Sequence, residues 1–347
     1  MDHAMKINIQ YADFRNITKR DVLEMQNVLE YSPSASIFHS VEWNRCLINY
    51  FNLPHTLVLA KENGRLAGFC IMFPITKGTI YSPAVHLQNA YGGPVAVNDE
   101  PAIIRNLLEG IEWIYPMAYF KIWSPPFINR ESFTACGYQS EEMLTSIVNL
   151  ENSEAELWGN LHRNKRYMVR KAASCNLKLM VGGLEHLDDY HIMAVETLSH
   201  GGVSALPLDF VGAVIKELGP LGMVKLLLVK SADEIVSGSI ILHYKRTAYG
   251  WDIGWRREYA TLSPNDFLVW EAMLDSKREG ARYFDLLRIE PDRLPGIAKW
   301  KETFGGEIVP CYLLRKETIA FKFVKPVKIL FTEPQRAFGK LRKLVKS

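Results

Sequence analysis

The chain has 347 residues, of which 48% are hydrophobic and 23% are charged, a composition that is ordinary for a globular protein in water. Its net charge of +3 is too small to indicate a nucleic-acid partner by itself. The five widely spread cysteines include no CxxC pair and no Cys/His cluster, which argues against a metal site and indicates a reducing cytosol. Because the length exceeds one typical hydrophobic core, we expect two domains.

The first half predicts two helices followed by a β-hairpin. Val22, Met25 and Leu29 recur at helical spacing, and Ser40 is a good N-cap for a second helix. An Asn-Gly dipeptide favours the positive φ angles of a two-residue hairpin turn. The predicted elements are helices at 18–31 and 40–51, strands at 56–60 and 66–73 around an Asn63-Gly64 turn, a helix at 100–115 and a strand at 118–123.

The second half repeats this order of elements. A strand at 225–230, a turn and a return strand at 235–244 resemble the first hairpin, and a shift of 170 residues places Gly68 on Gly238. Helical stretches precede each hairpin, and a strand, a helix and a further strand follow it. We therefore interpret the chain as a duplicated α/β unit with its boundary near residues 150–153.

A stripe of arginines lies on a helix predicted at about 154–175. Arg163, Arg166 and Arg170 share one face, opposite an apolar stripe, and no acidic residue interrupts them. Guanidinium groups can bind phosphates through two hydrogen bonds. The stripe is therefore either a phosphate-binding surface or a solvated helix face.

A carboxylate and two lysines follow the next predicted helix, which begins at Ser263-Pro264 with Ser263 as its N-cap and ends at Gly280. Asp285 lies in a short buried strand at 282–287, and Lys299 and Lys301 come later, on the next helical stretch. A carboxylate at the end of a buried strand, faced by lysines, is typical of an anionic-substrate site in α/β proteins. An ordinary strand, loop and helix with a salt bridge has the same pattern.

The sequence contains no dinucleotide fingerprint, P-loop, Gly-x-Ser-x-Gly or HExxH motif. Covalent catalysis by an enzyme nucleophile is therefore not indicated, and no tightly bound cofactor is expected. A reaction in which one substrate supplies its own nucleophile agrees better with these residues, because the protein then supplies orientation and charge stabilisation.

Several short motifs follow one another in the order that one known family shows. The segment 161–172 resembles its arginine-rich helix, Tyr249 to Trp270 its strand–loop–helix with Ser-Pro, and Gly280 to Asp285 its "G-x-x-x-x-D". Trp300-Lys301 before Phe304-Gly305 resembles "F-K-x-x-F-G", with tryptophan in place of the more usual phenylalanine. In the first half, 38–43 and 91–94 resemble the elements "S-x-x-W" and "Y-G-G-P".

By these motifs the chain, up to its tail, resembles the Fem-type peptidoglycan bridge-forming aminoacyltransferases and related acetyltransferase-like domains of the GNAT superfamily. The resemblance implies an α/β (α+β) fold of two tandem GNAT-like domains, each a mixed, mostly antiparallel sheet flanked by helices. We place these domains at 1–150 and 151–318, and a basic amphipathic tail at 319–347. The implied activity is transfer of an acyl or aminoacyl group to an amine of a peptidoglycan or polysaccharide precursor of the cell envelope.

The resemblance also implies roles for single residues. Lys301 would lie at the acceptor or the transferred group. For direct attack of an acceptor amine on the donor carbonyl, the candidates to take or relay a proton are Asp285 and Asp252. The arginines of the 154–175 helix would hold phosphates, and Tyr249 and Trp300 would line the cleft.

The donor and the kind of activity remain open between alternatives. In Fem-type enzymes the donor is aminoacyl-tRNA, whereas a GNAT N-acyltransferase uses acyl-CoA on an amino sugar or amino acid. The glycine-rich acyl-CoA loop of ordinary GNAT enzymes and the long coiled-coil insertion of some tRNA-dependent members are both missing from the sequence. A third alternative is a non-catalytic GNAT pair that binds a precursor or a partner protein.

The C-terminal tail differs in charge from the rest of the chain. Residues 321–347 carry a net charge of +7, which leaves −4 on the remainder. Basic residues alternate there with apolar ones, as in segments that lie on an anionic membrane surface. The alternative is a terminal helix that docks on the body. No signal peptide and no apolar run of about 18 residues is present, so we expect a cytoplasmic protein with possible peripheral contact at the inner face of the membrane.

Overall fold

The structure is a computed structural model that describes residues 7–77, 80–85, 90–202 and 204–323. Residues 324–347 of the basic tail, and with them the predicted membrane contact, lie outside the described residues. Among the described helices, none is long and apolar enough to cross a bilayer.

Helices and strands occur along the whole described chain. The helices are α1 (Lys19–Tyr31), α2 (Val41–Phe51), α3 (Pro101–Ile114), α4 (Arg130–Thr134), α5 (Glu154–Asn160), α6 (Arg163–Ser174), α7 (Leu187–His200), α8 (Leu208–Leu218), α9 (Pro264–Arg278) and α10 (Pro295–Glu302). The strands are β1 (Ile7–Ala12), β2 (Thr56–Glu62), β3 (Arg65–Met72), β4 (Pro74–Lys77), β5 (Ile80–Val85), β6 (Val95–Ala96), β7 (Tyr119–Trp123), β8 (Gln139–Asn149), β9 (Lys178–Gly182), β10 (Val224–Ser231), β11 (Glu234–Tyr244), β12 (Thr247–Trp255), β13 (Tyr283–Ile289) and β14 (Glu307–Glu317).

Two sheets carry these strands: the larger one is mixed, the smaller one has only antiparallel pairs among the described residues, and most neighbouring strands are antiparallel. One sheet has the order β1-β2-β3-β6 and the other the order β4-β5-β7-β14-β8-β13-β12-β11-β10-β9. The pairs β12/β13 and β5/β7 are parallel. This architecture confirms the predicted fold class of mixed, mostly antiparallel sheets flanked by helices.

The last strand of each half lies in the middle of the larger sheet. Strand β8 pairs with β13 of the second half, and β14 pairs with both β7 and β8. The two halves therefore share one sheet. Backbone hydrogen bonds join strands that precede residue 150 to strands that follow it. The domain limits 1–150 and 151–318 stay a prediction.

The two hairpins confirm the repeat but correct its offset. A bulge interrupts the first hairpin between Ala60 and Lys61 and the second between Val229 and Lys230, which is a spacing of 169 residues and not 170. A slip of one residue moves every side chain of a strand to the opposite face. The equivalent of Gly68 is therefore Ser237.

The N-terminal caps of three helices differ. Thr18 and Asp21 form a capping box at α1, and Ser40 accepts a hydrogen bond from the Trp43 N–H at α2. Ser263 was expected to cap α9, but it lies in the left-handed region at φ 56° and makes no side-chain cap. The prediction of a side-chain cap there was wrong, although Pro264 does begin the helix.

The predicted helix at 154–175 is broken into α5 and α6. His162 caps α6 by accepting a hydrogen bond from the Asn164 N–H, which starts a new helix direction. The buried face of α6 contains Lys165, Val169 and Ala172, while Met168, predicted to be apolar and inward, is 36% exposed. The predicted apolar stripe of Leu157, Leu161, Met168 and Ala172 is therefore buried at three of its four positions.

An aromatic cluster joins the two halves. Trp43 of α2 contacts Trp251 of β12 with ring centroids 5.2 Å apart, and Phe38 contacts Tyr91 and Tyr249 at 5.8 and 5.7 Å. All five rings are buried in one hydrophobic core. This packing brings the first half against β12 and β13, where the predicted site residues lie.

Candidate active site

Strands β12 and β13 diverge in the middle of the large sheet. Their parallel pairing ends at Tyr249 and Asp285, although β12 continues to Trp255 and β13 to Ile289. A cavity of about 350 Å³ lies against the diverging parts of both strands. We call it the Lys301 cavity, and its polar and charged lining includes Ser239, Asp252, Arg288, Glu290, Arg293 and Lys301.

Lys301 is held by the backbone of β13. Its Nζ donates hydrogen bonds to the carbonyls of Leu286, Leu287 and Arg288 at 2.6, 3.3 and 3.0 Å. Burial lowers the pKa of this ammonium group to about 8, against the charge of Asp285, which raises it. With three acceptors for its three protons, Lys301 offers the cavity a fixed positive charge.

Asp285 does not contact Lys301 and makes no ion pair with it, contrary to the simplest expectation. Its carboxylate accepts hydrogen bonds from the Thr145 hydroxyl at 2.5 Å, the Leu287 N–H at 2.7 Å and the Tyr91 hydroxyl at 3.0 Å. The side chain is 1% exposed, and burial raises its pKa above the usual range for a carboxyl group. The salt bridge of the alternative interpretation is therefore not formed between these two residues.

Asp252 of β12 lines the Lys301 cavity without a cationic partner among the described residues. Its Oδ2 accepts a hydrogen bond from the Tyr190 hydroxyl at 2.8 Å. Burial raises the pKa of Asp252 to about 6, partly offset by this hydrogen bond. A carboxylate that is ionised near neutral pH but close to protonation is suited to accept a proton.

A second cavity, of about 620 Å³, lies on the other side of the point where the strands part. We call it the Tyr91 cavity, because it is lined from the first half by Tyr91 and Phe127 and from the second by Tyr249, Asp285 and Glu307. Among the described residues that line it, none is a lysine, arginine or histidine. Tyr249, predicted to line a cleft, is 95% buried and faces this cavity and not the other.

Trp300 lines the Lys301 cavity, as its predicted role requires. Its Nε1 donates a hydrogen bond to Asp266 Oδ1 at 2.8 Å, and Lys165 forms an ion pair with the same carboxylate. The Lys165 ammonium also lies 5.0 Å from the Trp300 ring centroid. These contacts fix α10 against α6 and α9, and with it the backbone that carries Lys301.

The three predicted arginines lie on α6, outside the linings of the two cavities. Arg166 donates hydrogen bonds to the carbonyls of Gly159 and Leu161 at 2.7 and 2.6 Å, at the end of α5. Arg170 packs over the Trp158 ring at 5.2 Å, and Arg163 is exposed. Their binding of phosphates stays a prediction.

The sequence did not reveal three residues that are distant along the chain and donate hydrogen bonds to the carboxylates of the site. Tyr91, Thr145 and Tyr190 contact carboxylates that are 62 to 194 residues away along the chain. A local pattern carries no signal for such contacts. Arg288 and Arg293 could have been predicted, because the sequence shows two arginines shortly after Asp285.

A family model described as an acetyltransferase (GNAT) domain matches residues 163–302, which include β12, β13 and α10. Residues 163–302 are therefore similar to a GNAT acetyltransferase domain. The comparison with curated proteins found no match.

Solved structures extend the likeness to the first half. The crystal structure of FemX is 12% identical, covers 91% of this chain and 99% of its own, and has a TM-score of 0.70. The C-terminal domain of an Agrobacterium fabrum protein described as a lysylphosphatidylglycerol synthetase is 14% identical over 90% and 96%, with a TM-score of 0.57. A tandem GNAT protein from the clavulanic acid biosynthesis pathway is 9% identical over 89% and 98%, with a TM-score of 0.52.

At these identities the likeness shows the fold alone, which this chain shares with FemX and with a tandem GNAT protein. The GNAT domain gives the protein its class of activity, the transfer of an acyl group. The fold that the family resemblance implied and the prediction of an acyltransferase are thereby confirmed.

Proposed function

We propose that this acyltransferase adds an acyl or aminoacyl group to an amino group of a cell-envelope precursor, either of peptidoglycan or of a polysaccharide. The observation that carries the proposal is the Lys301 cavity, where Asp252 and the Lys301 ammonium line one space between diverging strands. The fold shared with FemX along nearly the whole of both chains supports the same substrate class.

In the proposed reaction the acceptor amine attacks the carbonyl carbon of the donor. A C–N bond forms, and the bond from carbon to the leaving sulfur or oxygen breaks. The amine loses one proton to Asp252, and the leaving group takes up a proton from water or from Asp252. No covalent enzyme intermediate is needed, in agreement with the absence of a nucleophile motif.

The positive charge of Lys301 acts on the tetrahedral intermediate. A negative charge develops on the carbonyl oxygen during attack, and a fixed cation in a site shielded from water stabilises it strongly. Because backbone carbonyls already accept the Nζ protons, this stabilisation operates through charge, and it needs no reorientation during the reaction.

The donor is an aminoacyl-tRNA or an acyl-CoA, both of which bring phosphates. Arg288 and Arg293 line the Lys301 cavity, and the arginines of α6 add positive charge on the surface of the same domain. The diverging edges of β12 and β13 favour acyl-CoA as a second candidate, because unpaired backbone groups at a strand edge can bind the amides of an extended arm.

The acceptor is proposed to bind in the Tyr91 cavity. Tyrosine rings, the amides of Asn149 and Asn152 and the carboxylate of Glu307 surround a space that no lysine, arginine or histidine of the described part of the chain lines. Such a lining suits a sugar or an amine-bearing peptide better than a phosphate. The acceptor amine would then approach the donor where β12 and β13 part.

The experiment that tests the proposal incubates the purified protein with acetyl-CoA or with aminoacylated tRNA, and with amino sugars or muramyl peptides as acceptors. Mass spectrometry measures the amide product. Product from one donor only would identify that donor, whereas no product from any pair would overturn the proposal. Melting curves with CoA provide a binding control, because a ligand at about 100 times its Kd adds roughly 2.7 kcal/mol of stability.

We also propose that the basic tail makes peripheral contact with an anionic membrane surface. Lys325, Lys328 and Lys340 alternate there with apolar residues. Sedimentation with phosphatidylglycerol vesicles should decrease as salt is raised, because screening weakens such attraction. Equal binding to neutral vesicles would contradict the electrostatic part, and no binding to either would contradict the contact.

A further inference from the structure

The bulge in β13 creates the binding place of the Lys301 ammonium group. In a regular strand successive carbonyls point to opposite sides, so three in a row cannot meet one cation. Here the register shifts between Asp285 and Arg288, and Leu287 lies in the left-handed region at φ 58°. Leucine rarely adopts this conformation, so the surrounding structure must hold it there.

Asp285 is the group that holds the bulge. Its Oδ1 accepts the Leu287 N–H at 2.7 Å, which fixes the residue with the unusual backbone conformation. The same oxygen accepts the Thr145 hydroxyl, and Oδ2 accepts the Tyr91 hydroxyl. Thr145 and Tyr91 both belong to the first half of the chain, so the position of the carboxylate is set from outside the GNAT domain.

We propose that Asp285 is a positioning residue that aims the Lys301 ammonium group by holding the β13 bulge, and that Tyr91 sets it from the first half of the chain. This inference rests on the proposed function of Lys301. It assigns Asp285 a structural task in place of the proton relay expected from the sequence. Because Tyr91 and Asp285 also line the Tyr91 cavity, a molecule bound there contacts the two residues that fix Lys301.

A double-mutant cycle separates positioning from an independent role in proton transfer. Asp285→Ala should lower kcat by about 100-fold, the size of loss that misplacement by about 1 Å can cause. Asp285→Asn should recover part of that loss, because its amide oxygen still accepts the Leu287 N–H. In a Lys301→Met background, Asp285→Asn should cause no further loss, since the group it positions is gone.

If Asp285→Asn lowers kcat by the same factor in the Lys301→Met background as in the native protein, Asp285 acts on the reaction independently of Lys301. That result would overturn the proposal. Full activity of Lys301→Met alone would instead remove the proposed function of Lys301, so the two failures are distinguishable. Melting temperatures of all variants exclude a loss by unfolding.

The pH dependence of the rate provides a measurement that a merely structural role of Asp285 would not change. The rate should fall above pH 8, because the Lys301 ammonium group has a pKa of about 8 and loses its charge there. The Asp285 charge raises this pKa, as does Glu290, while Arg288 lowers it. Asp285→Asn should therefore move the basic limb to lower pH, and an unmoved limb would contradict the proposal.

Tyr91→Phe tests the connection to the first half by removing one hydroxyl. It should lower kcat more than it changes KM for the donor. Tyr138→Phe is the matched control, because Tyr138 is also a buried tyrosine of the first half and its hydroxyl has no partner among the described residues. Equal, small effects of both variants would overturn the part of the proposal that concerns Tyr91.

Discussion

The two cavities beside β13 differ in the charge of their lining residues, although residues of this one strand line both of them. Arg288, Arg293 and Lys301 line one, and no cation lines the other among the described residues. Tyrosine rings and a buried carboxylate define the Tyr91 cavity, whereas the Lys301 cavity holds both a carboxylate and the fixed ammonium. A transferase that binds a phosphate-bearing donor and an amine acceptor needs this kind of asymmetry, because like substrates would otherwise compete for one site.

The difference also shows how one strand can serve two sites. Side chains of β13 alternate between its faces until the bulge, with Asp285 on the side of the Tyr91 cavity and Leu286 on the side of the Lys301 cavity. The bulge then directs consecutive carbonyls to one cation. The same irregularity in the backbone therefore contacts Asp285 of the Tyr91 cavity and Lys301 of the other cavity.

The largest expected effect comes from removing the cation of the Lys301 cavity. Lys301→Ala should lower kcat by about 100- to 1,000-fold, the loss typical when one group that stabilises an oxyanion is removed. The measurement is the initial rate of amide formation at saturating donor. Lys299→Ala is the matched control, since Lys299 is exposed and lies on the same helix. Full turnover by Lys301→Ala would remove this site from the mechanism.

The next effect concerns the carboxylate of the same cavity. Asp252→Asn should lower kcat/KM by about 100-fold, as loss of a general base typically does. In the native protein kcat/KM should rise as pH increases through about 6, because Asp252, whose pKa is about 6, accepts a proton only when ionised. This acid limb should disappear in the variant and persist in Asp209→Asn, a control at an exposed residue of α8. A limb that persists in Asp252→Asn would falsify its role as the base.

A pair of variants tests the charge difference between the cavities directly. Arg293→Gln should raise KM for a phosphate-bearing donor about tenfold, because one hydrogen bond between charged groups contributes about 1.5 kcal/mol. Glu307→Gln, in the Tyr91 cavity, should change KM for the acceptor and leave KM for the donor as it is. Steady-state kinetics with each substrate varied in turn make the comparison, and the reverse pattern would exchange the two assignments.

The sequence predicted most elements because their signals are local. The Asn63-Gly64 turn, the cap at Ser40 and the end of α9 before Gly280 each depend on a few adjacent residues, and Asn63 and Gly64 both have positive φ. The break at His162 escaped prediction, because helical spacing alone does not show where the helix direction changes. Elements with strong local signals were therefore placed within a few residues of their observed limits.

The candidate site was predictable only in part, for the same physical reason. Lys301, Asp252 and Trp300 were selected from motifs and do line one cavity. The bulge that turns carbonyls toward Lys301 depends on Tyr91 and Thr145, which are 194 and 140 residues from Asp285 along the chain. Tertiary packing sets such contacts, and no local pattern in one sequence encodes them.

The smallest expected effect concerns the exposed arginines of α6. Arg163→Gln and Arg170→Gln should each raise KM for a phosphate-bearing substrate by up to about fivefold, because exposed ion pairs contribute about 1 kcal/mol or less. The effect should shrink at high salt, which screens exposed charges. Arg20→Gln is the control, since Arg20 is an exposed arginine of α1 that pairs only with Glu24 among the described residues. If the α6 variants and Arg20→Gln have the same KM at low salt, phosphate binding is confined to Arg288 and Arg293, and the charge difference between the two cavities accounts for donor recognition without the helix.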